Sequence, residues 1–210
     1  MYNKRFIKQN PVTVTFLVIC IIYYICTIIR FGFSLSGFEA SQVGAFNPVL
    51  FLYEQNFLSL VTSNFVHFSL LHIVMNMMAL MNIGVILEYM IGSKKVKWIY
   101  IISILTTNIP ALLIFILNQS NAFTFSGGFS GVLCGLLGAL LILAYRRRNY
   151  NQRLYQDVLK NVGIIVIISI AIPNISLLGH LGGFIGGVLT IIFLTFKKQN
   201  EHKVHESVIH

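Results

Sequence analysis

The sequence predicts an all-α fold, a polytopic membrane protein built as one bundle of six transmembrane helices. Two observations carry this. Of the 210 residues only 10% are charged and 56% are hydrophobic, with a mean hydropathy of +0.80. A soluble domain carries about 25% charged residues, so this chain cannot cover a water-facing surface. The charges it has gather in short clusters between continuous apolar runs. Continuous rather than alternating runs argue for helices and against a β-barrel.

The first expected span is Val12–Ile29, which carries no charge. The second is about Phe65–Leu87 and the third about Val96–Leu117. The fourth starts near Ser130 and ends at Tyr145. The fifth, about Val162–Ile172, is short and is expected to reach back toward Leu159. The sixth is about Leu177–Phe196. This divides the chain into an N-terminal segment 1–11, a membrane domain 12–198 and a polar tail 199–210, the tail expected to be mobile. The first run is long enough to remain as a span, and no small-residue cleavage site clearly follows it, so no cleaved signal peptide is expected.

The net charge of +9 reads as topology, not as affinity for nucleic acid. Lys4, Arg5 and Lys8 precede the first span, and Lys94, Lys95 and Lys97 follow the second. Arg146, Arg147, Arg148, Arg153 and Lys160 follow the fourth, and Lys197, Lys198 and Lys203 follow the sixth. Apart from Arg30, the other connections are almost free of basic residues. Clusters alternating in this way expect both termini in the cytoplasm, here beneath a plasma membrane. The outer segment 31–57 holds Phe31, Phe33, Phe38, Phe46, Phe51, Tyr53 and Phe57 and is expected to lie in the membrane interface. Cys20, Cys26 and Cys134 fall inside apolar runs, with no zinc spacing and no disulfide framework.

Polar groups inside spans are costly and mark function by default. The second span holds His67, His72, Asn76 and Glu88. His72 and Asn76, four apart, share a helical face; His67 would lie about 140° round the helix from His72. The fourth span opens with Gly127-Gly128-Phe129-Ser130-Gly131. A serine there is at base rate an N-cap, but Gly131, Gly135 and Gly138 follow it and form a face that a second helix can approach closely. The sixth span has a matching face, His180 with Gly183 and Gly187, widened by Gly179, Gly182 and Gly186. Ser130 and His180 fall at compatible depths near the outer side, so a Ser–His hydrogen bond between two glycine-faced helices is expected. Asp157 lies on the opposite side, Glu88 near the inner end, and Glu39 and Glu54 in the outer loop. A dyad is therefore expected rather than a triad.

Three motifs together resemble the rhomboid family: His67-Phe68-Ser69-Leu70-Leu71-His72 followed by Asn76, Gly128-Phe129-Ser130-Gly131, and His180-Leu181-Gly182-Gly183 followed by Gly187. The resemblance covers most of the chain and implies a rhomboid-like bundle of six helices. It also implies intramembrane serine endopeptidase activity on transmembrane protein substrates, within membrane lipid, through an acyl-enzyme. Ser130 would be nucleophile and His180 base. His72, Asn76 and the Ser130 backbone N–H would hold the oxyanion. His67, Gly128, Gly131, Gly183 and Gly187 would be motif residues, and Glu88 with Gly92 a structural element closing the second helix. The fifth helix would be the mobile one, beside the second. The chain departs from the family at Leu58-Ser59, where a Trp-Arg pair is usual, and at Cys134, where an aromatic residue often packs on the histidine.

Two rivals remain open. One is a proteolytically inactive relative that binds transmembrane clients, although such proteins usually lose the serine or histidine that this chain keeps. The other is a small transporter, for which polar residues should line a path across the bilayer, whereas here they gather toward the outer half. No phosphate loop, metal-ligand set or dinucleotide fingerprint is present, so neither cofactor nor metal is expected.

Overall fold

The computed structural model describes residues 2–120, 122–171 and 175–208. Eleven α-helices follow one another among them: α1 (Tyr2–Gln9), α2 (Pro11–Phe31), α3 (Gly37–Gln42), α4 (Pro48–Tyr53), α5 (Ser59–Thr62), α6 (Leu70–Ile91), α7 (Ser93–Thr106), α8 (Ile109–Asn118), α9 (Ser130–Arg146), α10 (Gln152–Ala171) and α11 (Leu177–Val208). The described residues form no named strand, only two isolated bridges, Ser34 with Ser69 and Phe46 with Ser126. Five apolar stretches are long enough to cross a bilayer: α2, α6, α7 with α8, α10, and Leu177–Phe196 of α11. The sixth, α9, is apolar but has only 17 residues. The protein is an integral, multi-pass helical bundle.

Boundaries differ from expectation where local chemistry intervenes. The second span begins at Leu70, not Phe65, because a 3-10 turn over Ser63–Phe65 and the cap Ser69 come first; the Ser69 hydroxyl accepts the His72 N–H at 3.2 Å. His67 therefore precedes the helix, and the angle expected between it and His72 does not apply. The third span breaks at Thr107 and Asn108, just before Pro110 in the first turn of α8, as a ring without an N–H requires. The fifth is far longer than its apolar run and begins at Gln152; Ile172, its expected end, lies outside the described residues. The sixth continues past Phe196 to Val208, into the stretch expected to be a mobile tail.

At the centre stands α9, with most of its residues buried. Its glycines set the distance to α11. A Cβ on Gly183 would overlap the Gly131 carbonyl oxygen, and one on Gly187 would overlap that of Gly135. The two helices thus meet backbone to backbone, with dispersion in place of side-chain interdigitation. By contrast α10 packs chiefly on α9 and leaves Ile164, Val166, Ile167 and Ile170 exposed.

At the end remote from Ser130, Glu88 ties α6 to α2. Its carboxylate oxygens accept the Val12 N–H at 3.1 Å and the Thr13 N–H at 2.8 Å. Those are first-turn donors that no intrahelical carbonyl can satisfy. The side chain of Asn10, at the N-cap position, makes no capping bond, so the cap comes from 75 residues away. Gly92, at φ +79°, ends α6 and donates its N–H to the Glu88 carbonyl at 2.9 Å, a positive-φ position that suits glycine.

The connection between α2 and α6 folds into α3, α4 and α5. Ser36 and Glu39 form a capping box, and the Ser36 backbone N–H holds the Glu39 carboxyl below its usual pKa. Phe33, Phe38, Tyr53 and Phe57 point outward, whereas Phe46 is fully buried. Leu58 and Ser59 open α5, and Ser59 is buried, its hydroxyl donating to the Asn56 carbonyl at 2.6 Å. Without an arginine here, the segment is held by paired Phe46 and Ser126 backbone bonds at 2.8 Å. Asn47 Nδ2 adds bonds to the Ala122 and Thr124 carbonyls at 2.8 and 2.9 Å.

Candidate active site

Ser130 is the first residue of α9, and Phe129, not the serine, occupies the cap position. The N-cap reading is thereby excluded, and the hydroxyl is free to face another helix. Phe129 is fully buried in an aromatic cluster, with ring centroids 5.8 Å from Phe16 and Phe65 and 6.2 Å from Tyr100. This cluster joins α2, the 3-10 turn and α7 beneath the start of α9, and so fixes where Ser130 stands. Nothing in the linear pattern announced it, because its members are spread over more than a hundred residues.

His180 lies in the first turn of α11. Its N–H donates to the Ser176 carbonyl at 3.0 Å, and the Ser176 hydroxyl accepts the Gly179 N–H at 3.0 Å, capping the helix. The expected juxtaposition forms: His180 Nε2 is 2.9 Å from Ser130 Oγ. The glycine faces make this possible, since Gly131, next to Ser130, and Gly183, one turn after His180, bring the two backbones together.

His72 and Asn76 converge on Gly128, two residues before the serine. A Cβ at Gly128 would lie 2.7 Å from His72 Nε2 and 3.7 Å from Asn76 Nδ2. Gly128 also has φ +123°, so conformation and crowding both select glycine. His72 Nδ1 accepts the Phe68 N–H at 3.4 Å, which leaves its proton on Nε2, the nitrogen facing Gly128. Asn76 is 6% exposed, and its Nδ2 has no hydrogen-bond partner among the described residues. A buried amide donor without an acceptor is costly, and this one is directed toward the serine loop. As the first helical residue, Ser130 has an N–H with no intrahelical acceptor.

His67 has another task. Its Nδ1 donates to the Phe65 carbonyl at 3.0 Å, and its Nε2 accepts the Phe129 N–H at 3.5 Å. Both nitrogens are used in joining the 3-10 turn to the start of α9. Glu88 is remote from the site, as its sequence position implied. Cys134 is buried in α9, where an aromatic residue on the histidine would otherwise be expected. The group touching the far side of the imidazole is Ser169 of α10, whose Oγ is 2.6 Å from His180 Nδ1. Sequence reasoning missed it, although a polar side chain in the apolar run 162–171 was a signal.

A small pocket, partly open to the surface of the bundle, lies against the pair. Ser63, Thr107, Ser126, Ser130, Ser176 and His180 are among its lining residues. It has room for water or a short group rather than a whole helical substrate, and hydroxyl and imidazole groups stand among an otherwise largely carbon surface.

The chain is similar to known proteins over much of its length. The Rhomboid domain family profile matches residues 54–197. "Rhomboid protease GluP" of Bacillus subtilis (strain 168) is 32% identical over 147 residues, covering 66% of this chain and 26% of that protein. "Rhomboid-like protein 15" of Arabidopsis thaliana is 28% identical over 191 residues, covering 83% of this chain and 44% of that protein. "Rhomboid-like protease 3" of Toxoplasma gondii is 25% identical over 136 residues, covering 63% of this chain and 50% of that protein. The chain thus spans half or less of the length of these relatives. The matched stretch contains α6, α9 and the opening of α11, the helices that bring Ser130, His180, His72 and Asn76 together, and the chain belongs to the rhomboid family.

Proposed function

We propose that this protein is an intramembrane serine endopeptidase that cleaves transmembrane protein substrates with a Ser130–His180 dyad. The observation that carries the reading is the 2.9 Å contact between Ser130 Oγ and His180 Nε2, made between two spans of a multi-pass protein. In the reaction, Ser130 Oγ bonds to the scissile carbonyl carbon while its proton passes to His180 Nε2. The tetrahedral intermediate collapses as the C–N bond breaks and His180 returns the proton to the leaving amine. Water then hydrolyses the acyl-enzyme by the same proton path. His72 Nε2–H, Asn76 Nδ2 and the Ser130 N–H are the donors for the oxyanion, preorganised where little water competes.

Two features support a site recessed below the outer surface. At ~1.5 Å per residue α9 is about 26 Å long, shorter than a hydrocarbon core of ~30 Å. Ser130 also begins that helix at the end opposite the basic cluster 146–148. Both termini then lie in the cytoplasm of a plasma-membrane protein, with 12–198 the protease domain between the short segments 1–11 and 199–210. A substrate helix enters laterally and unwinds near the outer side, with the weakly embedded α10 as the mobile element.

The test is reaction of the detergent-purified protein with a fluorescent fluorophosphonate, beside Ser130→Ala and His180→Ala, with cleavage of a transmembrane reporter as second readout. Wild type alone should label and cleave. Folded wild-type protein that does neither would transfer the reading to an inactive binder of transmembrane clients. Cleavage by pure Ser130→Ala protein would remove the serine mechanism altogether.

A further inference from the structure

We infer that Ser169 is a positioning residue for His180, holding the imidazole in the tautomer whose Nε2 lone pair faces Ser130. The inference rests on the reading of His180 as general base, and it follows from counting protons. The Ser169 hydroxyl has a single proton, and it lies 2.6 Å from the Ile165 carbonyl oxygen, one turn back on α10. A carbonyl oxygen can only accept, so the proton is committed there. The same Oγ lies 2.6 Å from His180 Nδ1. With its own proton used, the oxygen acts toward the ring as acceptor, and Nδ1 must carry the hydrogen. A neutral imidazole has one N–H, so Nε2 is left bare, 2.9 Å from Ser130 Oγ. That is the arrangement a general base requires.

Ser169 thus gives a ring held by two hydroxyls, with Ser130 on Nε2 and Ser169 on Nδ1. It supplies the orienting contact that no carboxylate provides among the described residues: Asp157 pairs with Arg153 at 3.9 Å, Glu88 caps α2, and Glu39 caps α3. Cys134, on the helix of the nucleophile, offers no aromatic face to the ring. A hydroxyl is a weaker partner than a carboxylate, but at 6% exposure little water competes with it. When His180 takes the Ser130 proton, the Nδ1–H bond becomes a bond from a cation and strengthens, so Ser169 acts most in the transition state.

Three variants and two readouts test this. Ser169→Ala removes the hydroxyl without adding volume. Ser169→Thr keeps a hydroxyl that can make the same bond to the carbonyl four residues back. Ser169→Val has nearly the shape of threonine without the oxygen. The first readout is the rate of fluorophosphonate labelling. Alanine and valine should slow it roughly 10- to 100-fold, the range for a hydrogen bond to a charged group, with threonine near wild type. The second is the histidine tautomer, by nitrogen NMR on protein labelled at histidine nitrogens, with His180→Ala assigning the signal. Wild type and Ser169→Thr should show His180 protonated on Nδ1, and Ser169→Ala should show the proton shared with Nε2. An unchanged tautomer in Ser169→Ala, or a wild-type ring protonated on Nε2, overturns the inference whatever the rates. Equal slowing in all three variants with the tautomer intact assigns Ser169 to packing and also overturns it. A tautomer that responds to Ser169→Ala in a wild type inert to the probe upholds the positioning role and removes the protease reading instead.

Discussion

His72, His67 and His180 share one chemistry and divide its uses by the partner each nitrogen finds. His67 spends both nitrogens on backbone groups of Phe65 and Phe129. His72 accepts the Phe68 N–H and is left with one donor near the serine loop. His180 meets a hydroxyl on each side. The expected consequence is a graded response to alanine. Asn76→Ala and His72→Ala should each lower kcat by about 10²–10³ while the protein stays folded, the usual cost of losing one oxyanion donor. Cleavage kinetics on a transmembrane reporter, with thermal unfolding alongside, check this; a rise in KM at unchanged kcat would assign both to substrate binding. Gly128→Ala should abolish activity, because its Cβ would meet His72 at a backbone angle that alanine avoids.

Close approach of helices is the device that turns these side chains into a site. Gly187→Ala should destabilise by about 1–3 kcal/mol, the typical penalty for an added methyl in a packed interior, because its Cβ falls on the Gly135 carbonyl. Gly163→Ala on α10 meets nothing within 4 Å and should be neutral or slightly stabilising through the unfolded chain. Denaturation in detergent compares the pair, and equal effects would deny the backbone contact its role. Glu88→Gln replaces a charged acceptor of two α2 donors by a neutral amide. It should lower the unfolding temperature, since bonds to charged groups contribute about 1.5–3 kcal/mol. Fluorophosphonate labelling per folded molecule should be unchanged, because the link lies at the far end of α6. A drop in labelling of folded protein would show that the α2–α6 link reaches the site.

In the molecule as a whole, the site and the basic clusters occupy opposite ends of α9, with Ser130 at one and Arg146, bonded to Thr195 at 2.6 Å, at the other. Charge asymmetry and site position therefore make one joint prediction. A reporter inserted between residues 36 and 56 should report the outer compartment, and one fused after residue 210 the cytoplasm. The reverse pattern would turn the pocket beside Ser130 toward the cytoplasm and overturn the topology drawn from the Lys and Arg clusters.

The linear pattern by itself determined the class of the molecule and roughly where its spans fall, though not their bounds, and it singled out Ser130 and His180, which the fold brings within 2.9 Å. Composition excludes a water-facing surface, and runs such as Leu177–Phe196 have few alternatives in lipid. The spacing of Ser130 with Gly131 and Gly135, and of His180 with Gly183 and Gly187, marks two faces able to meet. Only the tertiary structure decided that His67 lies outside α6 and serves Phe129, that Glu88 caps a helix 75 residues away, and that Ser169 touches the imidazole. Each of these rests on a hydrogen bond between groups on different elements. Propensity and periodicity are local, and they tell which face a residue lies on. Which donor finds which acceptor is set by how closely the helices pack, and here glycines at their contacts set that distance.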